Sequence, residues 1–227
     1  MKIKIVGDIV ADDDKWIYEW LGLDATCPKD VSDQLEKANG EPVDIYINSP
    51  GGSVFAGVEI YDALQRYQGE VRLHGIWAAS AASVILCAGH SDMSPSGMVM
   101  IHNVSGTAHG DYRVMDKNSE ILKTANQAVC AAYVQKTGKS EEELLRLMDA
   151  ETWYTAQQAV ELGLVDEVFQ TQPRQMSATT PGGLPYEVIE KIRATVKNPF
   201  SDKPAVDKVL AARLKMKLLE LKGDSVL

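Results

Sequence analysis

The chain has 227 residues and a formal net charge of −9, with 45% hydrophobic and 24% charged residues. This length suits one domain of about 150 residues plus an appendage, and it allows a buried core without disulfides or metal. The composition excludes a collagen-like, mucin-like or wholly disordered protein. The three cysteines are widely spaced and form no Cys-x-x-Cys pair, which argues against a disulfide framework or zinc site and favours a reducing compartment.

Charge divides the chain into two parts. Residues 1–170 carry a net charge of −13, whereas residues 171–227 carry +4. An acidic body disfavours binding to phosphate backbones, so we expect no nucleic-acid partner. The N-terminal apolar patch is too short for a signal peptide, and the longest low-charge run, residues 75–89, is too short to span a bilayer. We therefore expect a cytoplasmic protein with no membrane partner.

Hydrophobic periodicity predicts strands and helices that alternate along the first 170 residues. The predicted strands are residues 2–6, 43–47, 71–76, 98–101 and 164–168. The predicted helices are residues 31–37, 53–67, 78–88, 112–137, 141–148 and 156–162. Acidic residues 12–14 and the sequence Asn48–Gly52 are predicted turns. This order is typical of an α/β fold with crossover connections.

The rest of the chain differs in composition from this body. Residues 171–185 are polar and rich in Thr, Pro and Gly, as in a linker. Residues 186–227 are basic and carry apolar side chains at helical spacing. This apolar stripe consists of Val206, Leu210, Leu214, Leu218 and Leu221. We therefore predict a domain at residues 1–170, a linker at 171–185 and a helical tail at 186–227.

The segment Gly75–Ser83 joins a predicted strand to a predicted helix through small residues. A nucleophile at such a turn is exposed, and the backbone N–H groups that open the helix stabilise an oxyanion. Small neighbours leave room for a peptide carbonyl. Ser80 is therefore a candidate nucleophile, while the alternative is that Ser80 and Ser83 only fill a tightly packed helix.

The diglycine Gly51–Gly52 follows a predicted strand. Glycine lets the backbone pass close to a ligand and point its N–H groups towards it. Taken alone, this sequence is also an ordinary turn. Together with Ser80 it predicts an oxyanion hole.

His102 ends the predicted strand 98–101, just past the segment with Ser80. A base in this position is well placed to accept a serine proton, although a lone histidine is more often structural. A triad also needs a carboxylate that orients the imidazole. Asp149 and Glu151, which lie between two predicted helices, are the candidates, and either also suits a solvated surface position.

Five motifs occur in order along residues 45–168. They are IYINSPGG (45–52), GVEIYDALQ (57–65), AASAASVILCAG (78–89), MIHN (100–103) and TAQQAVELGLVDEV (155–168). At this spacing the chain resembles the Clp protease proteolytic subunit family over about residues 1–170. The sequences AASAAS and Glu151-Thr152-Trp153 look most like the branch of phage head maturation (prohead) proteases. The resemblance implies the crotonase-like Clp protease fold, an α/β fold of repeated ββα units, followed here by the helical tail.

The resemblance also implies a serine endopeptidase that uses no metal and no organic cofactor. Ser80 falls on the family's nucleophile and His102 on its general base. Gly52 and Ala81 fall on the residues whose N–H groups form the oxyanion hole. The family's aspartate falls on Glu151, whose side chain is one methylene longer, with Asp149 as the alternative.

The partners implied by the resemblance are a polypeptide substrate and further copies of the chain. The substrate is expected to bind as an extended strand against Gly51, Val104 and Ser105. The copies are expected to form a ring, a heptamer or a double heptamer stacked through the helix 112–137. For the phage branch, the substrate is scaffold or capsid protein, and the site of action is the bacterial host cytoplasm or the prohead. The basic tail is expected to dock on scaffold, capsid or a neighbouring subunit, or else to fold on its own body.

Three other functions remain open at this point. The first is an ATP-dependent Clp proteolytic subunit for general protein turnover. The ATPase partner is left open, because the chain starts almost at its first core strand, which argues against coupling to a Clp ATPase. The chain contains no P-loop and so cannot hydrolyse ATP by that route itself. The second is a weakly active or inactive scaffolding protein with a Clp-like body. The third, an acyl-CoA enzyme of the crotonase group, is disfavoured by the Ser–His pair at peptidase spacing.

Overall fold

A computed structural model of the chain describes residues 1–169. The predicted linker and tail, residues 171–227, lie outside these described residues. The strands are β1 (Lys2–Ile9), β2 (Ala25–Thr26), β3 (Val43–Gly52), β4 (Val71–Ala79), β5 (His90–Ile101), β6 (Thr152–Thr155) and β7 (Glu167–Val168). The helices are α1 (Lys15–Leu21), α2 (Pro28–Ala38), α3 (Val54–Arg66), α4 (Ala81–Leu86), α5 (Tyr112–Thr137), α6 (Glu141–Asp149) and α7 (Ala156–Leu162).

The strands form one sheet in the order β2-β1-β3-β4-β5-β6, and β7 also pairs with β5. Every pair is parallel except β5 with β6, which is antiparallel. Parallel neighbours need crossover connections, and α2, α3 and α4 lie in the segments that join successive parallel strands. The prediction of an α/β fold with crossovers is therefore confirmed.

The core is made by one face of the sheet and the helices that cover it. Alternate residues of the central strands are fully buried, as the period of two in a strand requires. They belong to one apolar cluster that also includes residues of α2 to α7. The most buried side chains of the central strands are Ile3, Ile5, Ile45, Ile47 and Leu73.

The predicted turn at Asn48–Gly52 is wrong, because strand β3 continues through it. Ser49 still pairs with Ala78 of β4, and Gly52 pairs with Ile9 of β1. The ladder with β4 ends at Ser49, whereas the ladder with β1 continues through Gly51 and Gly52 and holds the diglycine in an extended course. The sequence Pro-Gly-Gly therefore marks a strand that approaches other backbones closely, rather than a reversal of the chain.

Other boundaries also shift because pairing, not local composition, sets them. Residues 78 and 79 belong to β4, so the predicted helix 78–88 is reduced to α4. Strand β5 begins at His90 rather than at residue 98, and the predicted strand 164–168 is reduced to β7. The acidic residues 12–14 form a 3₁₀ turn that leads into α1. The sequence prediction missed α1, β2 and β6.

Cys27, Cys87 and Cys130 are buried and free. Among residues 1–169, no group of His, Cys, Asp and Glu side chains is arranged to hold a metal ion. Although α5 has 26 residues, no helix in the described part of the chain is both long and apolar enough to cross a membrane.

Candidate active site

Ser80 lies at the sharp turn between β4 and α4. Its backbone has φ 55° and ψ −125°, a combination that residues other than glycine rarely adopt. The N–H of Ser80 donates to the carbonyl of Met100 at 3.0 Å, which ties the turn to β5. The turn places the Ser80 side chain at the end of the strand, where it lines a cleft.

His102 directly follows β5, the parallel neighbour of β4. Since Ala79 pairs with Met100, the two strands deliver Ser80 and His102 to the same edge of the sheet. The His102 Nε2 atom lies 2.7 Å from the Ser80 Oγ atom. When Ser80 donates this hydrogen bond, Nε2 is the unprotonated nitrogen and Nδ1 carries the ring proton.

The two candidate carboxylates have other partners. Glu151 Oε1 accepts a hydrogen bond from Trp153 Nε1 at 3.3 Å, and Asp149 Oδ1 accepts one from Asn103 Nδ2 at 2.7 Å. Within residues 1–169, no hydrogen bond joins His102 to either carboxylate. The structure therefore brings Ser80 and His102 together, but it does not join Glu151 to either of them by a hydrogen bond.

The register of β5 and β6 still favours Glu151 as a neighbour of His102. Ile101 pairs with Thr152 in the antiparallel ladder, so one further step along both strands sets His102 opposite Glu151. Glu151 has φ 46°, a left-handed backbone that turns the chain from α6 into β6. This turn lies just outside the β5–β6 ladder, whose last pair is Ile101 with Thr152.

The diglycine packs directly against the turn that carries Ser80. A Cβ atom added to Gly51 would lie 2.7 Å from the Ser80 Cβ and 3.0 Å from the Ala81 nitrogen. A Cβ atom on Gly52 would lie only 2.2 Å from the carbonyl oxygen of Ile9. With φ of 97° and 143°, both positions require glycine, and this is what allows β3 to run beside Ser80.

The Gly51 N–H is already used within the protein. It donates to Ser49 Oγ at 3.1 Å, and Ser49 Oγ in turn donates to the carbonyl of Gly7 at 2.6 Å. Ser49 is buried and holds the diglycine to the neighbouring strand segment. The N–H of Gly51 is therefore not free to bind a substrate strand in this structure.

A cleft of about 370 Å³ joins most of the predicted site residues. Those that line it are Gly52, Ser80, Ala81, His102, Val104 and Ser105. Its apolar wall, which the sequence prediction missed, consists of Val54, Phe55, Val84, Val129 and Tyr133. Phe55 is 80% exposed although it is aromatic. The signal that sequence reasoning overlooked is this aromatic residue three positions after the diglycine.

The segment after His102 is anchored by helix α5. The N–H of Val104 donates to Asn126 Oδ1 at 2.7 Å, and Asn103 is held by Asp149. These contacts fix one wall of the cleft, next to the predicted substrate-binding residues Val104 and Ser105. Asn103 and Asn126 carry no sequence signal of their own, because their partners are far away along the chain.

Cys87 lies at the end of α4 and is a potential rival nucleophile. Burial raises the pKa of its thiol to about 12. The thiol donates to the carbonyl of Ser83 at 3.3 Å. Since the thiolate is the nucleophilic form, this buried cysteine is inert and Ser80 is the nucleophile candidate of the cleft.

Comparison with known proteins agrees with this geometry. The Clp protease family model matches residues 27–172. The chain belongs to the Clp protease family. Members of this family are serine peptidases.

Two curated relatives carry the same family name. The chain is 38% identical over 144 residues to the ATP-dependent Clp protease proteolytic subunit 2 of Thermobifida fusca, covering 58% of this chain and 66% of the relative. It is 36% identical over 133 residues to the ATP-dependent Clp protease proteolytic subunit of Bacteroides fragilis, covering 57% of this chain and 64% of the relative. The chain thus spans slightly less than two thirds of the length of these relatives.

A solved structure supports the fold. A mutant of ClpP1 from Listeria monocytogenes superposes with a TM-score of 0.63 and 25% identity, covering 75% of this chain and 92% of that chain. The predicted Clp protease fold is therefore confirmed. The assignment to the phage branch of the family stays a prediction.

Proposed function

We propose that this chain is a serine endopeptidase in which Ser80 is the nucleophile and His102 the general base. The observation that carries the proposal is the 2.7 Å contact between Ser80 Oγ and His102 Nε2 inside the cleft. As Ser80 Oγ bonds to the peptide carbonyl carbon, its proton passes to His102 Nε2. The same proton then moves to the leaving amine, and water releases the acyl group by the reverse path. The proposed mechanism uses no metal and no organic cofactor.

The backbone N–H groups of Gly52 and Ala81 are the proposed oxyanion donors. Support comes from the close packing of Gly51 against Ser80 and Ala81, and from the cleft that Gly52 and Ala81 line together with Ser80. Fixed donors of this kind stabilise the negative charge that develops on the carbonyl oxygen. A substrate strand is proposed to lie along Val104 and Ser105, which line the same cleft.

Glu151 is the proposed third member of the triad. Its position opposite His102 in the register of β5 and β6 supports this role, as does its weak 3.3 Å bond to an exposed Trp153. In the proposed active arrangement, Glu151 accepts the Nδ1 proton of His102 and stabilises the imidazolium. Asp149 is the alternative, because it accepts a short hydrogen bond from Asn103, the residue that follows His102 in the sequence.

Labelling with a fluorophosphonate tests the proposal without knowledge of the natural substrate. The full-length chain is expected to gain one phosphonyl group per subunit, and mass spectrometry of the digested protein should place it on Ser80. Ser80→Ala should remove the label, whereas Ser105→Ala, a change at another serine of the same cleft, should keep it. Label on a different residue, or none on the wild-type chain, would contradict the proposal.

A ring of subunits is the proposed assembly. Its support is a set of exposed apolar side chains at the β5–β6 end of the sheet, where Trp77 and Trp153 meet edge to face with centroids 6.2 Å apart. Burial of such surface stabilises association. Light scattering should give a mass near seven or fourteen times that of the 24.8 kDa subunit. A monomeric mass at micromolar concentration would contradict this part of the proposal.

Head maturation is the proposed biological role, with scaffold or capsid protein as substrate. The sequence AASAAS and the sequence Glu151-Thr152-Trp153 support this assignment. The competing role, ATP-dependent turnover, is supported by the names of the two curated relatives. Co-expression with the adjacent scaffold or capsid gene product should yield specific cleavage that Ser80→Ala abolishes. Capture of a host Clp ATPase, with no such cleavage, would favour turnover instead.

A further inference from the structure

Two buried hydroxyl groups lie behind the nucleophile turn. The carbonyl of Ser80 accepts two hydrogen bonds, from the Ser83 N–H at 2.9 Å and from the Ser83 hydroxyl at 2.6 Å. The Ser83 Oγ atom is also 2.7 Å from the Tyr133 hydroxyl of helix α5. Ser83 and Tyr133 are each only 1% exposed, so water does not compete for these bonds.

The direction of this chain of hydrogen bonds follows from counting protons. A carbonyl only accepts, so the single Ser83 hydroxyl proton is used on the Ser80 carbonyl. Tyr133 must therefore donate to Ser83. Burial raises the pKa of the Tyr133 phenol, and the hydrogen bond with Ser83 only partly opposes this, so the phenol keeps the proton that it donates.

The series of hydrogen bonds from Tyr133 through Ser83 ends on the peptide group that links Ser80 to Ala81. The peptide is planar, so a fixed Ser80 carbonyl also fixes the opposite direction of the Ala81 N–H. A hydrogen bond to the carbonyl also polarises the whole amide and strengthens its N–H as a donor. The Ala81 N–H is one of the two proposed oxyanion donors, so both effects act on the reacting oxygen.

The turn needs such support, because its backbone is in an unfavourable conformation. Ser80 has φ 55° and ψ −125°, which persists in a protein only where the surroundings hold it. Rotation of the Ser80–Ala81 peptide is the simplest way to relieve this strain. Such a rotation would turn the Ala81 N–H away from the cleft.

We propose that Tyr133 and Ser83 are positioning residues that orient and polarise the Ala81 N–H for oxyanion binding. This inference rests on the proposed serine peptidase function. Plain packing does not account for the pair, because the neighbouring buried residues of α5, including Val129 and Ala132, are apolar. Phenylalanine and alanine would fill the same space without buried polar atoms that need partners.

The first test is the rate at which a fluorophosphonate reacts with Tyr133→Phe. In this reaction, the Ser80 Oγ–P bond forms, the P–F bond breaks, fluoride leaves and the serine proton passes to His102. The phosphoryl oxygen takes the place of the oxyanion, so the maximal rate reports on the donors. We expect this rate, kinact, to fall about tenfold, less than the loss from removing an oxyanion donor outright. The half-saturation constant KI and the final extent of labelling should stay at wild-type values.

Tyr61→Phe is the matched control. The Tyr61 hydroxyl also reaches helix α5, where it donates to Gln135 Oε1 at 3.2 Å, but it has no link to Ser80. This variant should react at the wild-type rate. A general loosening of α5 would instead slow both variants, and that result would overturn the proposal.

The second test asks whether the two hydroxyls act in series. Ser83→Ala should lower kinact at least as much as Tyr133→Phe. The double variant should be no slower than Ser83→Ala alone, because Ser83→Ala already removes the hydroxyl through which Tyr133 reaches the Ser80 carbonyl. Ser91→Ala, which removes another buried hydroxyl, bonded to Asp166 at 3.2 Å, should leave kinact unchanged.

The outcomes separate this inference from the proposed function. An unchanged kinact for Tyr133→Phe and Ser83→Ala would overturn the positioning role while the serine peptidase function stands. In a third outcome, less of the variant protein is labelled in the end, but the part that reacts does so at the wild-type rate. That result would indicate partial unfolding and would also overturn the positioning role. A wild-type chain that does not react at all would remove the proposed function and this inference with it.

Discussion

Ser80→Ala is expected to lower the turnover number kcat for peptide cleavage by about 10⁶, to a level near background. The reason is that, among the described hydroxyl groups of the cleft, only Ser80 is hydrogen-bonded to His102, and the buried Cys87 is held as a protonated thiol. His102→Ala should cost nearly as much, because the Ser80 hydroxyl then has no base at 2.7 Å. The assay is the initial rate on an internally quenched peptide that the wild-type chain cleaves.

The combination of the two changes is the sharper part of this experiment. Residues that act as one unit are strongly non-additive, so Ser80→Ala/His102→Ala should be no slower than Ser80→Ala alone. His109→Ala, a change at an exposed histidine, serves as the control and should keep full activity. Residual cleavage of more than about 1% in Ser80→Ala would show that the serine is not the nucleophile.

Periodicity predicted the parts of the fold that local pattern determines. Alternation at Ile3 and Ile5 located β1, and the predicted helices 141–148 and 156–162 begin where Ser140 and Thr155 cap α6 and α7. Each signal lies within a few residues, and the physical cause is equally local. The same holds for Ser80 and His102, whose motifs mark the ends of neighbouring parallel strands.

The elements that were missed depend on distant pairing. Strand β6 has four residues and exists because it pairs with the end of β5 across more than 50 positions of sequence. Strand β3 keeps its course through Gly51 and Gly52 because they pair with Asp8 and Ile9 of β1, more than 40 residues earlier in the chain. Periodicity cannot detect β6 or the last residues of β3, since neither stretch has an apolar repeat in its sequence.

Side-chain contacts within the site were the least predictable feature. Tyr133 falls within the predicted helix 112–137, but its hydroxyl meets Ser83 at a separation of 50 residues. Likewise, the sequence set Glu151 between two predicted helices without indicating that Trp153 would donate a hydrogen bond to its carboxylate. Rotamers and long-range hydrogen bonds are decided by the packed structure, not by the local sequence.

Glu151→Gln is expected to lower kcat by about 10⁴ with little change in KM, if Glu151 orients His102 during catalysis. Glutamine has nearly the same shape but lacks the charge that stabilises the imidazolium, and its amide also permits the wrong imidazole tautomer. The comparison variant is Asp149→Asn, which removes the other carboxylate at a distance of two residues. It is expected to lower kcat less than tenfold, because Asp149 contacts Asn103 rather than the imidazole.

Glu151→Asp completes the test, because aspartate is the residue that the family resemblance places at this position. A shorter side chain opposite His102 has less reach towards Trp153, so this variant should retain most of the activity that Glu151→Gln loses. A large loss in Asp149→Asn combined with a small loss in Glu151→Gln would instead assign the orienting role to Asp149. Small losses of kcat in both Glu151→Gln and Asp149→Asn would show that Ser80 and His102 act as a dyad, because neither carboxylate would then contribute to the rate.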